Sequence, residues 1–131
     1  MTVAVVYAMT TTSRRALLEA VAEARRRDTD LAILHVAGSP DGQSSAYRDG
    51  ITEEIGKTIA STDGSEWKLH LRNAASDVEV NDALLGLIED VGADVVVVGA
   101  RKRSPIGKAL LGSTAQSVAL GAASPVLVVK A

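Results

Sequence analysis

The residues of this chain best suited to chemistry lie together near its C-terminal end. Arg101, Lys102, Arg103 and Lys108 fall between an apolar run, Val95–Val98, and the triplet Gly112-Ser113-Thr114. Guanidinium and ammonium groups attract anions, hydroxyls and backbone amides donate hydrogen bonds to phosphate oxygens, and glycine permits close backbone approach. Ser113 and Gln116 have the Ser-x-x-Gln spacing of a capping box, which makes Ser113 the expected N-cap of a helix. The free amides of that helix's first turn would face the basic segment, forming a phosphate cradle. The plainer reading of the same residues is a solvated positive loop, the usual meaning of a short run of charge.

Charge distribution bears on both readings. The net charge is −2, yet residues 95–131 contain five of the 14 cations and none of the 16 acids. Four of those five cations occupy the one segment, so attraction for an anion would be focused there. A nucleic-acid partner is not expected. The rest of the chain is acidic, and Tyr7, Tyr47 and Trp67 are the only Phe, Tyr or Trp side chains available for stacking on bases.

These residues need a scaffold, and the hydropathy pattern describes one. Val95–Val98, stopped by Gly99, reads as a strand buried on both faces. Val3–Tyr7 is a first strand of the same kind. Thr10, Thr11, Thr12 and Ser13 offer helix caps before Ala16, Leu17, Ala20, Val21 and Ala24, which recur at helical spacing. Arg25-Arg26-Arg27 closes that helix, where cations suit the C-terminal dipole. Leu31–Ala37 is a second strand. Its His35 has no partner visible in sequence and reads as a core or strand-end histidine rather than a ligand.

Residues 38–50, rich in Gly, Ser, Asp and Pro, read as a loop. Ile51, Ile55 and Ile59 then mark one stripe of a second helix. Trp67, Leu69 and Leu71 alternate with Lys68, His70 and Arg72, so the third strand has one polar face and belongs at a sheet edge. Ser76 and Glu79 form a second capping box, opening a helix with the stripe Val80, Ala83, Leu84, Leu87, Ile88 and Val91 that ends at Gly92. Val126–Val129, after Pro125, is the closing strand.

Five strands alternating with four helices predict a single α/β domain over residues 1–131. It is built on a doubly wound, five-stranded parallel sheet. The amphipathic third strand at an edge and the apolar first and fourth inside favour strand order 3-2-1-4-5. With 131 residues, 47% of them hydrophobic, the chain can bury a substantial core. Ligands of such sheets bind at the carboxyl ends of the strands where the winding reverses, here between strands one and four. The flanking loops are Ala8–Thr12 and Gly99–Gly112, so topology directs attention to the basic segment independently of its motif.

Other chemistries fail on specific residues. A Walker reading of Ser104–Lys108 needs a glycine where Lys102 stands and a Ser or Thr where Ala109 stands. A phosphoryl-receiver reading needs acids after strand one and an aspartate after strand three, where the chain has Ala8-Met9-Thr10 and Asn73-Ala74-Ala75. The Thr-rich loop after strand one lacks the glycine of a flavin phosphate loop. No nucleophile, base and orienting acid group together, and no His or Asp cluster has metal-ligand spacing, so neither a catalytic nor a metal site is assigned. Cysteine is absent, Met1 leads straight into a strand pattern, and no apolar run approaches membrane-spanning length. A cytoplasmic, soluble protein is expected.

The segment Asp94–Lys130 resembles the universal stress protein family. The family signature is a glycine, two residues, a second glycine, nine residues, then Gly-Ser or Gly-Thr. Gly99, the stretch Arg103–Leu111 and Gly112-Ser113 fall in register with it, while Lys102 stands at the second glycine. Residues 123–130, Ala-Ser-Pro-Val-Leu-Val-Val-Lys, are similar to the family's last strand, and the order of elements matches from end to end.

The resemblance implies a Rossmann-like fold of the adenine nucleotide alpha hydrolase-like kind. It also implies one of two functions. One is a small regulatory homodimer that binds ATP, with Mg²⁺ able to accompany the nucleotide and hydrolysis at most slow. The other is a nucleotide-free homodimer that acts through partner proteins. Carried onto this chain, it implies Gly99, Gly112, Ser113 and Thr114 for the phosphates and the backbone of Val36 for the base. Arg101, Lys102, Arg103, Gly107 and Lys108 complete the candidate set as cations and flexible backbone. The aspartate expected after strand one corresponds to Ala8. The implied dimer pairs the last strand, Val126, Leu127, Val128 and Val129, with its twofold copy.

Overall fold

The computed structural model describes residues 1–8, 11–38, 44–60, 66–74, 77–100 and 112–130. The elements alternate strictly: β1 (Thr2–Val6), α1 (Thr11–Arg27), β2 (Asp30–Ala37), α2 (Ser45–Ile59), β3 (Trp67–Asn73), α3 (Asp77–Val91), β4 (Val95–Ala100), α4 (Ser113–Gly121) and β5 (Val126–Lys130). The strands form one parallel sheet in the order β3-β2-β1-β4-β5. This is the doubly wound α/β architecture, with the order expected from the strand patterns.

Successive strand residues point to opposite faces, so a strand covered on both sides must be apolar throughout. That accounts for β1 and β4, which pair in the register Val3↔Val95, Ala4↔Val96, Val5↔Val97. On one face Val3, Val5, Ile33 and Val97 pack against Leu17 and Val21 of α1 and Ile51 and Ile55 of α2. On the other, Ala4, Val6, Leu34, Val96 and Val98 pack against Leu84, Leu87 and Ile88 of α3 and Ala115 and Val118 of α4. β3 lies at one edge, with Leu69 buried and Lys68 and Arg72 exposed; Arg72 pairs with Asp90 of α3. β5 forms the other edge.

Three local expectations are corrected. First, the stretch 38–50 is not loop throughout, because α2 begins at Ser45. Its turn-rich composition is overridden by a cap, Ser44 Oγ accepting from the Tyr47 N–H at 3.1 Å, and by the buried Ile51-Ile55-Ile59 stripe that draws the helix onto the sheet. Second, Gly99 does not stop β4, which continues to Ala100 because β5 pairs alongside it, Gly99↔Val129 and Ala100↔Lys130. Third, the N-cap of α4 is Gly112 and Ser113 is the first helical residue. The helix starts one residue early, with the Gln116 N–H bonded to the Gly112 carbonyl at 3.0 Å, so the Ser113–Gln116 capping box does not form. Ser76 of the other capping box lies outside the described residues. α3 does end at Gly92, whose φ of 62° is the left-handed conformation that terminates helices at low cost for glycine.

Candidate functional site

The carboxyl ends of β1 and β4, where the sheet's winding reverses, open into a cleft of about 200 Å³. Val6 and Ala8 border it from β1, Thr12 and Ser13 from the first turn of α1, and Val98 to Ala100 from β4. Gly112 to Ala115 close it at the start of α4. Four residues singled out in sequence, Gly99, Gly112, Ser113 and Thr114, therefore meet at one place. Val36 is not among the cleft's lining residues; it lies in β2 in register with Arg72 and is partly buried on the α3 face. Arg101, Lys102, Arg103, Gly107 and Lys108 lie outside the described residues.

The two glycines serve different needs. A Cβ on Gly99 would stand 2.7 Å from the carbonyl oxygen of Thr12 and 3.0 Å from its carbonyl carbon. Gly99 is thus what lets the first turn of α1 lie against β4, which sets the width of the cleft. A Cβ on Gly112 would meet nothing within 4 Å. Its backbone, φ −63° and ψ 165°, is open to any residue. Packing among the described residues does not require glycine there, and the bare backbone leaves space beside them.

The chemistry of the cleft follows from α4. Gly112 offers no side-chain acceptor, so the amides at the start of the helix have no cap from their own N-cap residue. They present the positive end of the helix dipole and a set of N–H donors, an arrangement that receives anions. Thr114 is braced from α3, its Oγ1 donating to Asn81 Oδ1 at 3.2 Å. Across the cleft the Ala8 N–H donates to Ser13 Oγ at 2.9 Å, tying the end of β1 to α1. Ala8 is exposed, so a longer side chain there would enter solvent rather than the core.

His35 holds the neighbouring strand end. It is buried, with Nδ1 2.7 Å from the Tyr7 carbonyl oxygen and Nε2 2.7 Å from the Tyr47 hydroxyl. A carbonyl only accepts, so Nδ1 carries the proton and Nε2 accepts from Tyr47, a neutral ring satisfied at both nitrogens. Burial pushes its pKa below the usual histidine value, partly opposed by the bond to Tyr7. The sequence reading of a core histidine is correct, and the structure adds its task, joining β1, β2 and the start of α2. Among the described residues no group of His, Asp or Glu could hold a metal ion. None of their helices is long and apolar enough to cross a membrane.

The model of the universal stress protein family matches residues 1–130. The chain belongs to the universal stress protein family. A universal stress protein of Mycolicibacterium smegmatis is 34% identical over 118 residues, covering 89% of this chain and 88% of the relative. The solved structure of a universal stress protein from Archaeoglobus fulgidus superposes with a TM-score of 0.78 at 28% identity, covering 99% of this chain and 98% of that one. A universal stress protein solved in complex with cAMP gives a TM-score of 0.76 at 25% identity, covering 99% and 96%.

Sequence reasoning missed the bond of Ser13, which lines the cleft, and Asn81, which braces Thr114 from behind. Asn81 sits 33 positions from Thr114 on a different helix, and nothing local signals that pairing. Ser13 was visible as a cap candidate, but its bond to Ala8 depends on how α1 leaves the sheet.

Proposed function

We propose that this universal stress protein binds an adenine nucleotide in the cleft between β1 and β4, with its phosphates at the start of α4, and works as a small homodimeric regulatory protein. The observation that carries this reading is the N-terminus of α4: no side-chain cap from Gly112, and no described residue within 4 Å of a Cβ built on that glycine. It opens at the topological switch point, where nucleotides bind in sheets of this type. The family relative solved with cAMP supports an adenine ligand. The cations Arg101, Lys102, Arg103 and Lys108, close in sequence to the same helix, would add attraction for phosphate, and Ser113 and Thr114 would add hydroxyls. ATP, with Mg²⁺ accompanying it, is the first nucleotide to test. The proposed role is binding, with hydrolysis at most slow.

The test is calorimetric titration of the purified protein with ATP, AMP and cAMP at low and high salt. Binding that weakens as salt rises is expected. Lys108→Ala and Ser113→Ala should each weaken it, a charge-assisted contact contributing on the order of 1.5–3 kcal/mol. Unchanged affinity in both variants would remove the phosphates from α4.

A second reading, a dimer that acts through partner proteins without nucleotide, is favoured by one observation. Ala8 offers nothing polar at the position where the family resemblance implies an aspartate for the ribose. Absence of any bound small molecule by mass spectrometry, together with no heat on titration, would select it. Both readings share the dimer, for which β5 supplies an edge whose Leu127 is 38% exposed.

A further inference from the structure

At the opposite end of the sheet, beside the start of β4 and β5, α3 from Asp82 onward, the last residue of α4 and the connection Ala122–Ser124 enclose a groove of about 620 Å³. Its buried part is apolar, formed by Ile88 and Ala93 with Leu85 and Ala122 beside them. Gly121 is where α4 comes down onto α3, since a Cβ there would lie 2.9 Å from Leu85 Cδ1. The exposed residues of its wall include Asp82 and Glu89. Leu120, next to Gly121, is 87% exposed.

The electrostatics of this groove are one-sided. α3 carries Asp77, Glu79, Asp82, Glu89 and Asp90 and no cation, and α4 carries no charge at all. α1 ends on Arg25–Arg27 and α2 on Lys57, whereas α3 and α4 have no basic residue in their last turns. The two helices that carry no basic residue of their own in the last turn are the two that border the groove, and each contributes the negative end of its dipole. Asp90 is engaged by Arg72, but among the described residues neither Asp82 nor Glu89 forms an ion pair. The Arg72 guanidinium, whose Nη1 would lie 3.2 Å from a Cβ on Gly86 in the groove wall, is committed to Asp90 and leaves Asp82 and Glu89 as the carboxylates of the rim. An apolar floor under a rim that stays net negative fits a ligand that is apolar along one face and cationic along its border.

We propose that this groove docks a cationic amphipathic segment of a partner protein. Leu- or Ile-type side chains of the segment would seat on Leu85 and Ile88. Its Lys or Arg side chains would meet Asp82, Glu89 and the two helix C-termini. An anionic lipid surface or an acidic peptide would be repelled by the same groups. The proposal is independent of nucleotide binding, which concerns the other end of the sheet.

The probe is a fluorescein-labelled amphipathic helix composed of Lys and Leu, titrated with the full chain and read by anisotropy. Asp82→Lys with Glu89→Lys is expected to weaken binding by at least about tenfold, and Leu120→Ser by a smaller factor. Asp49→Lys with Glu53→Lys, at exposed positions of α2, makes the same change in net charge and is expected to alter binding by less than about twofold. Equal weakening by both pairs would mean attraction to net charge alone, and no weakening by either would mean the groove is not used; each result overturns the proposal. Sedimentation velocity on the same proteins tests the remaining occupant. Dissociation of an oligomer by the groove variants would make the groove an interface between copies and would overturn the proposal too. Circular dichroism melts confirm folding, with Asp82→Asn and Glu89→Gln as milder replacements if the charge reversals unfold the chain.

Discussion

Alanine at Gly99 and alanine at Gly112 should have opposite consequences, although both glycines border the same cleft. At position 99 the new Cβ would lie 2.7 Å from the Thr12 carbonyl oxygen and 3.3 Å from the Thr12 Cβ. The obstructing atoms are the backbone and Cβ of Thr12 in α1, and Gly99 itself belongs to the interior strand β4, so several tenths of an ångström must come from elements packed on the core. Overpacking of this kind costs about 1–3 kcal/mol. For a domain of this size that lowers Tm by roughly 3–10 °C, with no ligand present. At position 112 the Cβ meets none of the described residues within 4 Å and the backbone is already in an alanine-compatible region. There the gain of about 0.4–1 kcal/mol from a stiffer unfolded chain offsets alanine's weaker N-capping, leaving stability within about 0.5 kcal/mol of wild type. Nucleotide affinity should instead fall at position 112, because the methyl group occupies space offered to phosphate. Urea unfolding followed by the fluorescence of Trp67, the chain's single tryptophan, measures the first quantity, and titration with ATP measures the second. A Gly99→Ala protein as stable as wild type would show that α1 slides away freely and that the close approach has no energetic weight. Equal stability losses at the two positions would abolish the distinction drawn between them.

Ala8→Asp should leave stability within about 0.5 kcal/mol, since Ala8 is exposed, and should tighten ATP binding by about tenfold if the carboxylate reaches a ribose hydroxyl. Unchanged affinity in a thermal-shift titration would place the sugar away from β1. Leu127→Lys should convert the proposed dimer to a monomer in sedimentation velocity without unfolding it. Val128, which packs against the α3 and α4 face, is the less clean position for the same test. Stability should also fall as pH drops from 8 to 5. His35 and His70 both have folded-state pKa values below the ordinary histidine range of about 6.5, so the unfolded chain takes up protons first. That contribution is complete above the unfolded value and is lost as pH falls toward the folded one. Urea midpoints of His35→Gln should show a shallower decline than wild type; an identical slope would mean His35 is not protonated on unfolding in that range.

How much of this was legible in the sequence differs from element to element. The apolar runs of β1 and β4, the alternation of β3 and the stripe of α3 each report burial through a fixed period, three to four residues for a helix and two for a strand. These periods are set by backbone geometry before any tertiary contact forms. From them the alternation of elements, the strand order and the switch point follow, and so does the meeting of Gly99 with Gly112–Thr114. The signature spacing around Gly99 and Gly112-Ser113 likewise carried the family, because it is a count of residues along the chain and needs no tertiary contact to be read.

What only the tertiary structure decided are matters of a single residue or of partners far apart in the chain. Composition read residues 45–50 as loop, but burial of Ile51, Ile55 and Ile59 and the Ser44 cap make them helix. Spacing assigned the cap of α4 to Ser113, but the helix starts one residue earlier and leaves Gly112 at its mouth. The role of Gly99 as the seat of Thr12, the brace from Asn81 to Thr114, and the ring of His35 between Tyr7 and Tyr47 all join different elements. Local propensity acts between residues a few positions apart and fixes which elements form. Distances between side chains on different elements are set only when those elements pack, and no period in the sequence encodes them.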